Sequence, residues 1–298
     1  MKVHAFAKVN LGLDVLNKRP DGYHEIRSLF QTIDLHDDIE ILDCDSLTLE
    51  CDDPRIPPGR DNLVMKAAEA LREATGFRGG ARLILQKRIP SQAGLGGGSS
   101  DAAATLLGLA RHWDMAVSFE DLRAVAASLG SDVPFFLFGG TALGIGRGEE
   151  IYPLPDAPAR RLMVVMPPEG VSTSDAYRRV SSRLTGSGGS PRIAALVHRL
   201  IEGTLSPRDY FNLFEEVLTD DNEETGSIRK SLLACRPERA LLAGSGAAWV
   251  CFLRDADAAL DAGKRMASLE VPFLPAATLT RQRYWELGFP PETQEILP

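Results

Sequence analysis

The sequence PSQAGLGGGSSDAAA, residues 90–104, places four glycines and a Ser-Ser pair immediately before an alanine-rich run. The preceding segment ARLILQKRI is predicted to form a strand. The residues after it are predicted to form a helix with one apolar face, made of Leu106, Leu107, Leu109, Ala110 and Trp113. A strand, a glycine-rich bend and a helix N-terminus bring several unpaired backbone N–H groups to one point, at the positive end of the helix dipole. The stretch therefore predicts an anion-binding site.

The residue types in this loop suit phosphate binding, although the loop matches none of the common phosphate-binding sequence motifs. Glycine removes the Cβ atoms that would block a phosphate and permits positive φ, while the hydroxyls of Ser99 and Ser100 can reach phosphate oxygens or Mg²⁺. Ser99, Ser100 or Asp101 is predicted to cap the helix. The GxxxxGK[ST] pattern is absent, and GxGxxG fails because residue 99 is serine. A plain glycine hinge with a Ser/Asp cap is the alternative interpretation.

The composition predicts a globular protein. A length of 298 residues is enough for two domains, and 44% hydrophobic with 25% charged residues excludes disorder and coiled coil. The net charge of -8 disfavours non-specific binding to nucleic acid or to an acidic membrane. The four cysteines show no CxxC spacing, so we predict neither a zinc site nor a disulfide framework. No segment reads as a signal peptide or a membrane span, so we expect a cytoplasmic protein.

Periodicity gives a coarse order of elements. Alternation from Val3 to Leu13 predicts a strand with Lys8 and Asn10 on one face, and a Pro-Asp-Gly turn predicts a hairpin after it. A second turn is predicted at Asp37-Asp38, a helix from 62 to 76, another helix around EDLRAVAASLG, and a hairpin at the glycine-dotted segment FGGTALGIGRGEEI. Three prolines between residues 153 and 158 predict a domain junction, which divides the chain into 1–155 and 156–298.

Four further segments make the glycine loop specific. They are DNLVMKAAEAL at 61–71, AKVNLGLDVLNKRPDGYHEI at 7–26, GSDVPFFLFGGTALGIGRGEEI at 130–151 and LLAGSGAAWVCFL at 241–253. With the loop, they resemble the GHMP small-molecule kinases over most of the chain. Sister kinases for homoserine and mevalonate usually carry a shorter GLGSS form. The segment at 241–253, the third motif of the family, departs from the usual pattern near Trp249. The tail after Leu279 has no counterpart in the resemblance.

The resemblance implies an α+β, two-domain GHMP kinase fold. The N-terminal domain, 1–155, would be related to domain 2 of ribosomal protein S5, and the C-terminal domain, 156–298, would be ferredoxin-like. The implied activity is ATP-dependent phosphorylation of an alcohol, with ATP and Mg²⁺ as cofactors. The implied substrate is a small molecule that carries a cytidine diphosphate group and lies in the cleft between the domains. Monomer and homodimer both stay open.

The resemblance also assigns the catalytic pair. Asp132 matches a carboxylate that acts as general base, and Lys8 matches the lysine beside it. An ammonium group next to a carboxylate favours its charged form and orients it. Local sequence alone allows a plainer interpretation, in which Asp132 is a helix N-cap before Pro134 and Lys8 is an exposed strand residue.

The remaining candidate residues fall into a nucleotide group and a substrate group. The resemblance implies that the phosphates are wrapped by Gly94, Leu95, Gly96, Gly97, Gly98, Ser99 and Ser100. Asn62, Lys66 and Lys87 are candidates for the adenosine region, although both lysines could be solvated surface charges, and Ser100 is the candidate contact of Mg²⁺.

On the substrate side, Tyr23 and His24 match a cytosine-binding pair, with Tyr177 as the opposing aromatic ring and Asn10 at the alcohol end. A surface hairpin at Tyr23 and simple helix packing of Tyr177 are the alternatives. Two other function classes are weighed. A nucleotide sensor without transfer is disfavoured by the retained Lys8 and Asp132, and a dinucleotide-dependent oxidoreductase by the failed GxGxxG spacing.

Overall fold

The computed structural model describes residues 1–166, 176–180, 191–218, 223–245 and 248–289. Within them the chain forms an α+β fold with a seven-stranded sheet and a four-stranded sheet, which confirms the predicted fold class. None of the helices in those ranges is long and apolar enough to cross a membrane. The Gly/Ser segment at 185–190, residues 246–247 of the third motif and the tail from 290 lie outside the described residues.

A long β-hairpin forms the centre of the seven-stranded sheet. Strands β1 (Lys2–Lys18) and β2 (His24–Leu42) pair antiparallel through a turn in which Gly22 has a φ of 88°, so the predicted hairpin is confirmed. Strands β3 (Leu47–Cys51) and β4 (Ala81–Gln86) extend the sheet beyond β2. Strands β5 (Thr141–Ile145) and β6 (Glu150–Pro153) form the predicted second hairpin, with β5 paired to β2.

Three helices and one short 3₁₀ helix pack on this sheet. Helix α1 (Leu63–Thr75) is capped by Asn62 and ends at Gly76, which has a left-handed conformation, so the predicted helix from 62 to 76 is confirmed. Helices α2 (Gly97–His112) and α3 (Phe119–Leu129) and the 3₁₀ helix Val133–Leu137 follow. They bury a continuous apolar core against the sheet, since alanines along α2 allow the helix to lie close to its neighbours.

The four-stranded sheet is antiparallel and belongs to the second half of the chain. Its strands are β7 (Arg161–Val165), β9 (Arg239–Leu242), β10 (Trp249–Leu253) and β11 (Phe273–Ala277), in the order β11-β7-β10-β9. The helices around it are α4 (Arg192–Ile201), α5 (Leu213–Leu218), α6 (Glu223–Ala234) and α7 (Ala256–Ser268), with a helical segment at 176–180. Trp249 is fully buried in β10.

The two halves of the chain are joined by more than the linker at 153–158. Strand β8 (Phe211–Asn212) comes from the second half and pairs parallel with β1. Helix α8 (Arg281–Gly288) packs against the first half through Tyr284 and Trp285. One apolar cluster also contains residues from β1, β7 and β9 together. The boundary at residue 155 stays a prediction, but the structure shows that side chains of both halves share one core.

The predicted turn at Asp37-Asp38 is wrong. Strand β2 continues through both residues, and both carboxylates are buried. Hydrogen bonds and ion pairs from residues that are distant in sequence satisfy each carboxylate. Asp37 accepts hydrogen bonds from the backbone N–H groups of Arg88 and Ile89, and Asp38 contacts Lys2, His4 and Arg88. Aspartates favour a turn when their carboxylates bond to nearby backbone, whereas here distant partners take those hydrogen bonds and the strand continues.

Candidate active site

The glycine loop enters helix α2 directly. Gly94 and Gly96 have φ values of 78° and 73°, and Gly96 is the N-cap, with no side-chain cap hydrogen bond. The prediction that Ser99, Ser100 or Asp101 caps the helix is therefore wrong, because the left-handed glycine lets the helix start at Gly97. The first α-helical bond runs from the Ser100 N–H to the Gly96 carbonyl, at 2.8 Å. The N–H groups of the preceding turn are left to bind an anion.

Two glycines of the loop are required by their neighbours. A Cβ on Gly94 would lie 2.1 Å from the Ala243 carbonyl oxygen, and a Cβ on Gly96 would lie 2.8 Å from the Phe136 ring. The backbone N–H of Lys8 donates to the Leu95 carbonyl at 2.9 Å, which ties the loop to β1. The loop is thus held between β1, the 3₁₀ helix and the third glycine motif.

The third motif is itself fixed by a buried side chain that sequence reasoning missed. The amide of Asn212 donates to the carbonyl oxygens of Leu242 and Gly244 at 2.9 and 2.6 Å. A buried asparagine that satisfies two carbonyls holds the strand end in one geometry. The sequence FNLF around it carries no signal for this role, since the pairing depends on β8 lying beside β1.

Two cavities meet at the glycine loop. One has a volume of about 750 Å³ and is lined by the predicted catalytic and substrate residues, including Lys8, Asn10, Tyr23, His24, Asp132 and Tyr177. The other has a volume of about 900 Å³ and is lined by the loop itself with Asn62 and Lys87. Gly94, Gly96 and Ser99 line both. A group bound at the loop is therefore accessible from two separate binding sites.

Lys8 and Asp132 lie together in the first cavity. The Lys8 Nζ atom is 3.5 Å from the Asp132 Oδ2 atom and donates to the Asn10 side-chain oxygen at 2.9 Å. Asn10 in turn donates to the Ser28 hydroxyl at 2.7 Å. Lys8 is buried, which excludes the alternative of an exposed strand residue, and its place beside Asn10 confirms the shared strand face.

Asp132 precedes the 3₁₀ helix without capping it. Its carboxylate makes no cap hydrogen bond, and its side chain is 31% exposed on the cavity side. The simple N-cap interpretation therefore loses its physical basis. A carboxylate that is open on one side and paired with a buried ammonium on the other can accept a proton from a bound hydroxyl.

Aromatic side chains line one part of the first cavity. The rings of His24 and Tyr177 stack at 4.9 Å with 29° between their planes, and Tyr177 meets Phe214 edge-on at 4.9 Å. The two rings are stacked on each other, so they do not enclose a base between them as the resemblance implies. Burial lowers the pKa of His24, and the charge of Lys18 lowers it further. Burial also raises the pKa of Tyr177.

Three cationic side chains of the first cavity were not assigned a role from the sequence. Lys18, Arg147 and Arg178 line the cavity with Lys8, and Asp132 is the single carboxylate among the described lining residues. The Arg147 guanidinium lies over the Tyr23 ring at 4.9 Å, while Tyr23 is 54% exposed. Arg147 is also paired at 3.0 Å with Glu149, which does not line the cavity. In a protein of net charge -8, the excess of cations over carboxylates among the lining residues favours an anionic ligand. Arg147 lies near the second glycine cluster of the sequence, but the local sequence indicates no role for it.

The three adenosine candidates have different surroundings. Asn62 lines the second cavity, but its side-chain oxygen accepts from the Val64 N–H and caps α1. Lys87 lines the same cavity, and its buried ammonium bridges the carboxylates of Asp37 and Asp101. Lys66 is absent from the described lining of either cavity, and its nearest carboxylate, on Asp61, is 3.9 Å away. All three assignments stay predictions, with Lys87 the most deeply placed.

The described residues offer no clear ligand set for Mg²⁺ at the loop. The Ser100 hydroxyl is buried and donates to the Phe6 carbonyl at 2.6 Å, so it does not fit the role of magnesium contact that the resemblance implies. The one described cluster with metal-ligand geometry, formed by His4, His36 and Asp38, includes no residue lining either cavity. Asp38 there is already bound by Lys2 and Arg88.

The close approach at Gly94 gives a direct test of the loop. The variant Gly94→Ala should weaken ATP binding by about 10-fold to 100-fold, since the added Cβ would clash with the Ala243 carbonyl and displace the loop, and a misplacement of about 1 Å can cost about 10²-fold. The matched control is Gly203→Ala, where φ is 69° and no atom lies within 4 Å of the added Cβ. Calorimetric titration with ATP decides the matter, and equal affinities in the two variants would contradict the role of Gly94.

Comparisons with known proteins agree with this geometry. The family model for the GHMP kinases N terminal domain matches residues 62–140. A 4-diphosphocytidyl-2-C-methyl-D-erythritol kinase of Pelotomaculum thermopropionicum is 44% identical over 246 residues, which cover 81% of this chain and 85% of that protein. A protein of the same name from Solibacter usitatus is 42% identical over 261 residues, covering 86% of this chain and 82% of that protein.

Solved structures give the same result at the level of the fold. A crystal structure of 4-(cytidine 5'-diphospho)-2C-methyl-D-erythritol kinase superimposes with a TM-score of 0.79 at 36% identity and covers 93% of this chain and 99% of that one. Homoserine kinase from Cytophaga hutchinsonii superimposes with a TM-score of 0.70 at 18% identity and covers 94% of this chain and 95% of that one. The second similarity supports the fold alone.

Proposed function

The chain belongs to the 4-diphosphocytidyl-2-C-methyl-D-erythritol kinases of the GHMP kinase superfamily, and from this premise we propose the reaction, its direction and the residues that perform it. The protein is a kinase. We propose that it transfers the γ-phosphoryl group of ATP to the 2-hydroxyl of 4-diphosphocytidyl-2-C-methyl-D-erythritol. The products are the 2-phosphate and ADP, and we assign the step to non-mevalonate isoprenoid precursor biosynthesis.

One observation carries the proposal, namely that two cavities meet at a loop of bare backbone amides next to a Lys-Asp pair. Phosphoryl transfer requires an acceptor and a donor in line, with the negative charge of the phosphates stabilised. The second cavity would hold the nucleotide with its phosphates on the N–H groups at the start of α2. The first cavity would hold the alcohol, so that the two substrates meet at Gly94 to Ser99.

The acceptor hydroxyl would lie against Asp132. The carboxylate takes the hydroxyl proton as the oxygen attacks phosphorus, and the Lys8 ammonium stabilises the charge on the carboxylate and the oxygen. Asn10 orients the ammonium through its side-chain oxygen. Mg²⁺ is the expected companion of ATP and would neutralise phosphate charge, but no step here depends on a residue that binds it.

The aromatic and cationic lining of the first cavity suits a pyrimidine nucleotide. The His24 ring, which stacks on Tyr177, offers an aromatic face to the base, and the lowered pKa of His24 keeps the imidazole neutral at pH 7, with one donor and one acceptor nitrogen. Tyr23 beneath Arg147 adds a second flat surface at the entrance. Lys18, Arg147 and Arg178 supply positive charge for a diphosphate that links the base to the alcohol end.

An assay with competing acceptors tests the proposed function. Purified protein with Mg-ATP should release ADP when 4-diphosphocytidyl-2-C-methyl-D-erythritol is present, and phosphorus NMR should show a new phosphomonoester. Mevalonate and homoserine, offered at the same concentration, should give no product above the ATP-only background. Turnover of either would overturn the substrate assignment. Tight ATP binding without transfer to any of the three would favour the nucleotide-sensor alternative.

A further inference from the structure

The chain returns to the first sheet after it leaves the second. Beyond β11 the backbone N–H of Leu279 donates to the Thr32 carbonyl at 2.9 Å, and the Gln31 amide donates to the Leu279 carbonyl at 2.7 Å. Thr280 then caps α8 by accepting from the Arg283 N–H. Helix α8 is therefore held against β2 before its own side chains make any contact, although the sequence resemblance had no counterpart for this segment.

Helix α8 binds the backbone that follows Asp132. The buried hydroxyl of Tyr284 donates a short hydrogen bond to the Phe136 carbonyl. The indole N–H of Trp285, also buried, donates to the Phe138 carbonyl at 3.1 Å. These carbonyls belong to the end of the 3₁₀ helix Val133–Leu137 and to the residue after it, where a helix leaves carbonyl groups without partners of its own.

The fit between α8 and this segment is close. Gly139 has a φ of 65°, and a Cβ on it would lie 2.2 Å from the Tyr284 ring. Arg281, at the start of α8, donates from its guanidinium to the Thr141 carbonyl at 2.7 Å. Side chains along α8 thus contact consecutive parts of one segment, residues 136–141, which excludes a single chance contact as the explanation.

Asp132 depends on this segment for its position. Its carboxylate makes no cap hydrogen bond, so the side chain does not hold itself to the helix it begins. A 3₁₀ helix is short and has poorer hydrogen-bond geometry than an α-helix, so it is a weak support by itself. The distance of 3.5 Å between Asp132 and Lys8 is consequently set by whatever fixes the backbone of Val133–Leu137.

We propose that Tyr284 and Trp285 are positioning residues for the general base. Acting from α8, they hold the 3₁₀ helix so that the Asp132 carboxylate faces Lys8 and the acceptor hydroxyl. The inference rests on the proposed function, because it takes Asp132 as the proton acceptor. A displacement of about 1 Å in a catalytic group can cost about 10²-fold in rate, so a distant helix can control kcat without touching substrate.

The test is the variant Tyr284→Phe, which removes one hydroxyl and keeps the ring against Gly139. We expect kcat to fall by about 10-fold to 100-fold, with the KM values for ATP and for the cytidine substrate unchanged. Trp285→Phe, which removes the other donor, should act in the same direction. The matched control is Tyr210→Phe, which changes another buried tyrosine with a bonded hydroxyl. Tyr210 lies in the apolar cluster that contains residues of β1, β7 and β9, and it lines neither cavity.

Amide hydrogen exchange gives a second readout that needs no turnover. In Tyr284→Phe the amides of residues 133 and 135–139 should exchange faster than in the wild type, whereas Tyr210→Phe should leave them unchanged. If both variants lose similar thermal stability but keep wild-type kcat, α8 is only structural and the proposal is overturned. Unchanged exchange at residues 133 and 135–139 would also overturn the proposal. This readout needs no turnover, so it decides the proposal even if the wild type phosphorylates none of the acceptors and the proposed function fails.

Discussion

Replacing Asp132 by asparagine should lower kcat by about 10²–10⁴, the range typical of removing a general base, while ATP binding stays largely intact. Asparagine has nearly the same shape and can still contact Lys8, but it cannot take the proton from the acceptor hydroxyl. The carboxylate lies 3.5 Å from the Lys8 ammonium and lines the first cavity. Single-turnover kinetics with the cytidine substrate, together with calorimetric titration of ATP, measure the two effects separately.

Two controls make this experiment specific. Asp43→Asn changes a fully exposed aspartate of the same half and should leave both kcat and ATP affinity unaltered. The effects of Lys8→Met and Asp132→Asn on kcat should be strongly non-additive. The double variant should lose little more kcat than the more damaging single variant, because the two residues act as one unit. If Asp132→Asn kept more than a tenth of the wild-type kcat, or if it lost ATP binding instead, Asp132 would not be the base.

Much of the site's framework follows from local patterns in the sequence. The period of two in β1 put Lys8 and Asn10 on one strand face, and the structure joins them by a hydrogen bond of 2.9 Å. The extent of α1 and its end at Gly76 were likewise predicted, because the helical period and the glycine that ends it are local features. Features decided within a few residues can be read directly.

The errors occurred where distant residues decide the outcome. Asp37 and Asp38 resemble a turn, yet they continue β2 because partners about 50 positions away satisfy both carboxylates. The start of α2 moved to Gly97 because Gly96, packed against Phe136, takes a left-handed conformation. Local propensity cannot contain either cause, since each one exists only after the sheet and helices have assembled.

The aromatic and C-terminal parts of the site show the same limit. His24 and Tyr177 were predicted near one base, but their direct stacking depends on how the segment at 176–180 lies against the first hairpin. The packing of α8 on the segment after Asp132 joins residues almost 150 positions apart. Such contacts depend on the relative position of the two halves, for which the sequence contains no periodic signal.

The largest expected effect on stability comes from Lys87. Its ammonium is buried between Asp101, at 2.6 Å, and Asp37, beneath the glycine loop. Burial opposes the charge of Lys87, but the two carboxylates raise its pKa. Burial raises the pKa of Asp101, although Lys87 opposes that shift. The cluster therefore links β2 to the first turns of α2 through one shared cation.

Lys87→Met should lower the free energy of unfolding by about 3–5 kcal/mol, as expected when one partner of a buried ion pair is removed. Methionine fills most of the volume, so the loss comes from two facing carboxylates without a cation. Lys66→Met is the control. That lysine is 47% exposed with a carboxylate 3.9 Å away, and surface changes usually stay within about 0.5 kcal/mol. Denaturant unfolding at pH 8 compares the two variants.

The pH dependence identifies the cause of the loss. Without Lys87 the buried Asp101 carboxylate, whose pKa burial raises, should hold a proton in the folded state at a pH where the unfolded chain holds none. Folding then binds protons, so the stability of Lys87→Met should rise as the pH falls from about 8 to about 5, toward the ordinary aspartate pKa near 3.9. The deficit relative to Lys66→Met should shrink over that range. A deficit that is independent of pH would mean lost packing, and equal stability of both variants at pH 8 would contradict the ion cluster as a support of the loop.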